Sequence, residues 1–210
     1  MALTTAANLR SAEGGLSDAD SETNAWLETL IGVADDWIAE FCGYPPASVG
    51  AARTIEQATY TAYSGDGVVV ADASDPRLLR LRVWPVASIV SIHEDGDEEY
   101  GAGTEVSSSD YAQRGRRGQH VRLKPSASHG AWSSSPRAIK VVFTAGYVAA
   151  DHPRLMKAST ELALMLYKLN GRRGHQSISD GRLNTSHRPE KMPASVRQML
   201  AGYRLPGVVL

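Results

Sequence analysis

Apolar side chains recur every three or four positions in two long stretches of the chain, and this spacing predicts two amphipathic helices. The first is predicted over residues 18–42, and it begins at Ser17-Asp18-Ala19-Asp20, which has the form of a capping box. Its apolar face carries Trp26 and Trp37, which we interpret as packing residues rather than a platform for stacking bases. Gly43-Tyr44-Pro45-Pro46 ends this helix.

The second helix is predicted over residues 153–170, with Pro153 in its first turn. Leu155, Leu162 and Leu166 lie on its apolar face, whereas Leu164 lies within a stripe of charged residues. A helix that is apolar on more than one face either contacts something outside its own domain or is deeply buried. The sequence leaves both alternatives open.

Between these helices the apolar positions alternate with polar ones, which is the pattern of half-buried strands. The run of residues 139–144 is the clearest example, because Ile139, Val141 and Phe143 share one face. Turn residues, such as Ser64-Gly65-Asp66-Gly67, separate the alternating stretches. The pattern predicts a small antiparallel β-domain over residues 54–145, inserted between the two helices.

The two ends of the chain have a different character. Residues 1–16 are small and polar, and we expect an N-terminal arm. After the body of residues 17–170, the C-terminal region 171–210 begins with an aperiodic, basic stretch and ends in a short amphipathic helix that starts at Pro193. About ten residues are too few for a helix to be stable alone in water, so this helix must pack on something. The predicted fold class is α+β: a helical body with an inserted small antiparallel β-domain and an extended C-terminal arm ending in a short helix.

Composition places the chain among ordinary soluble proteins, with 42% hydrophobic and 21% charged residues in 210. No apolar run approaches the roughly 18–20 residues that span a bilayer, and the N-terminus lacks the features of a signal peptide. The single cysteine, Cys42, excludes an internal disulfide and fits a reducing compartment. Because it lies at the end of an apolar helix face, we expect a small core residue.

Charge is distributed unevenly along the chain although the net charge is −1. Residues 1–110 contain 19 acidic and 5 basic side chains, a net of −14, whereas residues 111–210 contain 4 acidic and 17 basic ones, a net of +13. Such polarity suits subunits that pack with complementary faces, or a protein with one face toward nucleic acid. The alternative is that the two halves neutralise each other within one fold.

No motif of a known catalytic or metal site occurs. The six histidines have no partner at zinc-ligand spacing, and the sequence lacks a nucleophile elbow, a P-loop and a dinucleotide fingerprint. The acidic run around Asp95, Asp97 and Glu99 lacks the spacing of a calcium loop, so we interpret it as a solvated turn. We therefore predict that the protein is not an enzyme and has no cofactor and no metal.

One basic feature can contact phosphates. Arg114, Arg116 and Arg117 surround two glycines at a predicted hairpin tip, and guanidinium groups match phosphate geometry. A solvated hairpin tip is the alternative, and the sequence does not decide between them.

Four local patterns occur in a fixed order along the chain. They are Asn24-Ala25-Trp26-Leu27 continuing to Phe41-Cys42-Gly43-Tyr44; Trp84-Pro85-Val86-Ala87-Ser88-Ile89-Val90-Ser91-Ile92 followed by Asp110-Tyr111; Ile139-Lys140-Val141-Val142-Phe143-Thr144-Ala145-Gly146-Tyr147 with Pro153; and Met192-Pro193-Ala194-Ser195-Val196-Arg197-Gln198-Met199-Leu200-Ala201-Gly202-Tyr203-Arg204. With these patterns the chain resembles, over about residues 18–205, the head-tail connector (adaptor) family of tailed phages. Arg154 departs from the family, in which an acidic residue is more usual after the proline.

The resemblance implies a structural protein of the virion neck that is assembled in the bacterial host cytoplasm. It implies a dodecameric ring below the portal that joins the capsid to the tail and lines the channel for DNA exit during genome ejection. The implied partners are the portal ring, neighbouring copies of the chain, a downstream tail-completion or stopper protein, and double-stranded DNA in the channel, with no membrane. The resemblance implies no catalysis.

Two sets of residues follow as predicted contact sites. The C-terminal segment is predicted to bind the portal through Met192, Pro193, Val196, Met199, Leu200, Tyr203 and Leu205. Arg114, Arg116 and Arg117 are predicted to face the DNA channel. If the segment is only a docking element, a chain cut after Gly171 keeps a near-native melting temperature; the alternative is that the segment folds back on its own subunit.

Two other functions stay open. The first is a nucleic-acid-binding protein that uses the basic C-terminal half, which requires strongly salt-dependent DNA binding by the free monomer. The second is a small hydrolase whose catalytic residues are dispersed in the sequence, which requires a nucleophile and a base in one pocket.

Overall fold

The fold was obtained as a computed structural model, which describes residues 2–12, 24–48, 50–170 and 192–205. The helices of the described chain are α1 (Ala6–Ser11), α2 (Asn24–Cys42), α3 (Pro153–Asn170) and α4 (Ala194–Leu200). The strands are β1 (Ala58–Tyr63), β2 (Val69–Asp72), β3 (Asp75–Leu81), β4 (Val86–Glu94), β5 (Tyr111–Arg114), β6 (His120–Leu123) and β7 (Ile139–Ala145). All strand pairs in the two sheets are antiparallel, so the fold is α+β.

The chain divides into two compact units. Of the described residues, the helical unit comprises 2–12, 24–42, 149–170 and 192–204, and the β unit comprises 43–48, 50–148 and 205. The β unit therefore lies in the sequence between α2 and α3, where the alternating pattern predicts it. The capping box at residues 17–20 and the basic stretch of residues 171–191 lie outside the described residues.

In the helical unit, α2 packs against α3. Leu27, Ile31 and Ile38 of α2 are buried, as are Leu155 and Leu162 of α3. Each such side chain contributes about 1.5–3 kcal/mol when it is removed from water. Toward the end of α3 the apolar side chains are only half-buried, so the helix is not deeply buried along its whole length.

The N-terminal residues differ from the predicted arm. Over residues 2–12 the chain forms the short helix α1, in which the Thr5 side chain accepts a hydrogen bond from the Asn8 backbone N–H. Leu3 and Leu9 are almost completely buried in the helical unit. The backbone N–H of Leu3 also donates to the carboxylate of Asp35 over 2.9 Å. The prediction of an arm is therefore wrong for these residues, because Leu3 before α1 and Leu9 within it anchor them to the core.

The C-terminal segment also belongs to the helical unit. Helix α4 packs on α3, and Val196 and Leu200 are completely buried. The ring of Tyr203 lies edge-on to the ring of His152, with 5.7 Å between the centroids. The guanidinium of Arg204 lies 5.2 Å from the ring centroid of Phe41. The described segment thus folds back on its own chain, the alternative that the sequence left open.

The β unit contains two sheets. The three-stranded sheet has the order β1-β7-β4, and the four-stranded sheet has the order β2-β3-β6-β5. Strand β7 is central in the first sheet, and its alternating side chains from Ile139 to Ala145 are buried on one face. Tyr60 of β1 stacks on Phe143 of β7 with 5.6 Å between ring centroids, and this pair lies within the buried face.

None of the described helices is both long and apolar enough to cross a membrane.

Candidate assembly surfaces

The described residues contain no arrangement typical of a metal centre. No group of three or more His, Cys, Asp or Glu side chains within them is placed to hold a metal ion. Cys42 is completely buried, and burial raises the pKa of its thiol to about 12 against the opposing effect of the Arg204 charge. A thiol with this pKa is protonated at neutral pH and is a poor nucleophile.

The predicted basic hairpin tip forms between β5 and β6. Gly115 and Gly118 have φ values of 90° and 67° at the turn, which is the left-handed region that glycine adopts without a steric penalty. Arg114, Arg116 and Arg117 are all exposed. None of the three forms an ion pair with another described residue. Three unpaired cations therefore project from one short turn, which we call the arginine tip.

Hydrogen bonds attach the arginine tip to the first residue of β4. The Val86 N–H donates to the carbonyl of Arg117 over 2.8 Å, and the Gln113 side-chain amide donates to the Val86 carbonyl over 2.9 Å. The guanidinium of Arg117 also lies 5.4 Å from the ring centroid of Trp84. The tip is therefore held in place at one end of this strand.

The acidic loop of residues 95–99 follows the last residue of β4. The Asp95 carboxylate accepts hydrogen bonds from the backbone N–H groups of Asp97 and Tyr100, both over 2.9 Å. These bonds hold the pKa of Asp95 below its ordinary value. Asp97 and Glu99 are exposed and form no ion pair with a described residue. The loop is a defined turn that presents carboxylates to solvent.

A cluster of aromatic and charged side chains supports the acidic loop. The non-glycine residues with positive φ in the described chain are Glu98 at 61°, Tyr100 at 50° and Arg137 at 59°, and all three belong to this cluster. The Arg137 guanidinium donates to Glu98 over 2.6 Å, and the Tyr100 hydroxyl donates to the Arg137 carbonyl. Arg137 also lies 4.5 Å from the ring centroid of Tyr63, which packs against Tyr100. These contacts hold a backbone conformation that costs about 1–3 kcal/mol at each residue.

The arginine tip and the acidic loop lie at opposite ends of one strand. Val86, which begins β4, bonds to the tip, and Glu94, which ends β4, leads into the loop. Two register shifts let the nine residues of β4 pair with only seven of β7, so at about 3.3 Å per residue the two surfaces lie roughly 20 Å apart along the strand. The β unit therefore has a positive end and a negative end.

Opposite charges balance within each unit although they are separated along the sequence. Residues 43–148 contain 11 acidic and 11 basic side chains. The described residues of the helical unit contain six of each. Several pairs in the β unit are direct, such as Arg122 with Asp75 over 2.9 Å. In the described chain, the halves thus neutralise each other within the fold, and unpaired charge remains at particular surfaces.

The residues predicted to bind a portal divide into two groups in the structure. Val196, Leu200 and Leu205 are buried. The other four, which keep partial exposure, are Met192, Pro193, Met199 and Tyr203. Only the second group is accessible to a partner in this conformation.

The cluster of Tyr63, Tyr100, Arg137 and Lys140 was not predicted from the sequence. Lys140 lies 5.3 Å from the ring centroid of Tyr100, and these residues come from three separate parts of the chain. Tyr63 and Lys140 are paired across β1 and β7, so the register of these strands brings them together. Only correct pairing of β1 with β7 could have placed them side by side.

The comparisons with known proteins show the fold. No protein-family profile matches the sequence, and a search of curated proteins found no match. The chain is similar to one in the neck of an empty gene transfer agent (GTA) particle computed with C6 symmetry, with 16% identity, a TM-score of 0.58, and coverage of 96% of this chain and 87% of that chain. It is also similar to a chain in the virion of a native GTA particle, with 19% identity, a TM-score of 0.59, and coverage of 97% and 90%. At these identities the likeness is one of fold, and it extends over most of both chains.

Proposed function

We propose that the chain is a structural component of the neck of a tailed phage or a phage-like particle, where its copies form a ring between the portal and the tail. The observation that carries this proposal is the likeness in fold to chains of GTA particles over 96% and 97% of this chain. The ordered local patterns that resemble the phage connector family support it independently. In this role the chain has no catalytic function.

The ring is proposed to contain twelve copies, as the resemblance to the connector family implies. One of the two similar structures was computed with C6 symmetry, and twelve copies are compatible with a sixfold axis. The proposed neighbours of the ring are the portal above it and a tail-completion or stopper protein below it. Double-stranded DNA passes through its centre during ejection.

The C-terminal segment is the proposed portal contact. Because Val196, Leu200 and Leu205 are buried, the contact is proposed to use the partly exposed residues Met192, Pro193, Met199 and Tyr203. Methionine and tyrosine are common at the centre of protein interfaces. Repetition of one modest contact around a ring gives a strong total attachment.

DNA in the channel is one candidate partner of the arginine tip, as the sequence predicts. Guanidinium groups bind phosphate oxygens without reading the sequence of the bases, which suits DNA that has to move. The same groups bind carboxylates equally well, so the chemistry of the tip fits either of two partners.

The nucleic-acid-binding alternative rests on the basic second half of the sequence. The balance of charges in the β unit argues against it, because the basic residues of 111–148 share that unit with acidic side chains, and residues 43–148 contain 11 of each sign. A hydrolase is also not favoured by any group of described residues. The likeness in fold supports the neck role, and no observation supports either alternative as strongly.

A capture experiment with the portal ring of the same particle tests the proposed function. We expect the full chain to bind immobilised portal, and the double variant Met192→Ser/Pro193→Ser to bind at least tenfold more weakly with an unchanged unfolding temperature. Gln198→Ser, at an exposed position of α4, is the matched control and should bind as the natural chain does. Failure of the full chain to bind portal at any concentration would contradict the proposal.

A further inference from the structure

The two ends of β4 carry exposed side chains of opposite charge that form no ion pair within the described chain. The arginine tip at Val86 has three exposed guanidinium groups, and the loop after Glu94 has exposed carboxylates at Asp97 and Glu99. Electrostatic interactions in water at physiological salt fall off over about 8 Å, which is much less than the roughly 20 Å between the two surfaces. The two surfaces of one copy therefore do not neutralise each other.

Both surfaces are held in a fixed conformation. Gln119 accepts a hydrogen bond from the Arg117 N–H over 3.0 Å, and Gly118 leaves no room for a side chain beside the Val86 carbonyl. The loop is fixed by Asp95 and by the cluster of Tyr63, Tyr100 and Arg137. Surfaces that are already ordered lose little conformational entropy on binding.

We propose that the arginine tip of one copy binds the acidic loop and its supporting tyrosine cluster on a second copy. The proposal rests on the ring of the proposed function and identifies the surfaces through which its subunits meet. A contact between two different surfaces of the same chain is head-to-tail, and it generates a closed ring when the rotation between copies closes. Arginine and tyrosine, which form this contact, are the residues most often found at energetic centres of interfaces.

The observations favour a neighbouring copy over DNA as the partner of the arginine tip. The chain itself carries a complementary carboxylate surface at the opposite end of the same strand, as a head-to-tail contact requires. Residues 43–148 contain equal numbers of acidic and basic side chains, 11 of each, whereas a surface that binds DNA carries a broad excess of basic residues. DNA is therefore the competing outcome of the test.

A double-cysteine variant tests the contact directly. Glu99→Cys and Arg116→Cys are too far apart in one copy for a short bismaleimide reagent to join them, so a link can only form between copies. Purified particles that contain this variant should give a ladder of covalent dimers, trimers and larger species in denaturing gels. Each single-cysteine variant is the control and should give no species above a dimer. The proposal would be overturned if the ladder were absent both from particles and from concentrated free protein.

Charge reversal identifies the partner. Asp97→Lys/Glu99→Lys reverses the loop, and Arg114→Glu/Arg116→Glu reverses the tip. Each double variant should assemble at least tenfold more weakly, and the chain that carries all four changes should assemble again. A mixture of the two double variants should also assemble, with the two variants alternating, because the natural tip of one meets the natural loop of the other and the reversed tip meets the reversed loop.

The result that contradicts the proposal differs from the one that contradicts the neck role. If the reversed tip weakens DNA binding while neither reversal changes ring formation, DNA is the partner of the arginines and the contact between copies is wrong, but the neck role stands. If the natural chain is absent from particles and does not bind portal, the neck role fails.

Discussion

Gly146 has both a backbone angle and surroundings that exclude a side chain. Its φ is 117°, and a Cβ atom added there would lie 2.3 Å from the carbonyl oxygen of Glu56. Residues with a Cβ rarely adopt this angle, and a contact this short forces the backbone to move. The position ends the buried strand β7, so a shift would be transmitted to the core of the β unit.

We therefore expect Gly146→Ala to lower the free energy of unfolding by about 3 kcal/mol or more. Thermal unfolding followed by circular dichroism measures it, with a fall of roughly 10 °C or more for a domain of this size. Gly130→Ala is the control, because open space surrounds that position, and it should change stability by less than about 0.5 kcal/mol. Equal effects of the two changes on stability would mean that the Glu56 backbone does not lie this close to Gly146.

The thiol of Cys42 should be inert in the folded protein. Its pKa is raised to about 12 by burial, so at pH 8 about one thiol in ten thousand is the reactive thiolate. We expect a chromogenic disulfide reagent at pH 8 to leave the native chain unmodified for hours, and to modify one thiol per chain within minutes in guanidinium chloride. Rapid modification of the native protein would mean that α2 does not bury this residue.

At the residue scale, the sequence predicted the features that depend only on a side chain and its neighbours in the sequence. Cys42 was predicted as a core residue, and it is buried. The exposed arginines of the hairpin tip were predicted from the glycines that flank them, and Gly115 does have a positive φ. The left-handed conformations of Glu98, Tyr100 and Arg137 could not be predicted, because they depend on contacts between distant parts of the chain.

For helix α4, the local sequence predicts that the helix packs on a partner, but only the tertiary structure shows which partner that is. Its amphipathic pattern predicts a helix that needs a partner, and the partner within the described chain is α3. The pattern alone cannot distinguish a partner in the same chain from one in another protein, because both bury the same face. Helix α1 was missed because it is short, and only Ala6 and Leu9 mark its buried face.

The packing of α4 changes the expected result of truncation. Val196 and Leu200 are completely buried, so a chain cut after Gly171 loses part of the core and should unfold at a lower temperature. Leu200→Ala should by itself cost about 2–5 kcal/mol. Gln198→Ala, on the exposed side of the same helix, should cost less than about 0.5 kcal/mol. A near-native unfolding temperature of both the truncated chain and Leu200→Ala would mean that α4 is held elsewhere.

The long elements were predicted best. Helix α3 has the bounds Pro153–Asn170 that the sequence predicts, because a proline marks its start and the apolar spacing continues for five turns. The alternation of residues 139–144 identified β7. The division of the strands between two sheets was not predicted, since alternation fixes which face of a strand is buried and not which strands pair.

For the whole molecule, the proposed contact between the two ends of β4 predicts that assembly depends on salt. Raising the salt from 0.05 to 0.5 M shortens the range of electrostatic interactions from about 14 Å to about 4 Å. We expect light scattering to show at least fivefold weaker association of copies over this series, while the unfolding temperature of the free chain changes little. Unchanged or stronger association at high salt would mean that apolar contacts, such as those of the half-buried end of α3, dominate the interface.

The central claim is that this fold forms a ring in the neck of a phage-like particle. Electron cryomicroscopy of phage-like particles from cells that carry the gene for this chain tests it most directly. We expect a ring of density directly below the portal, in which each subunit accommodates one helical unit and one β unit. Particles whose necks lack this ring, together with a free chain that binds DNA stoichiometrically and releases it as salt rises, would contradict the account.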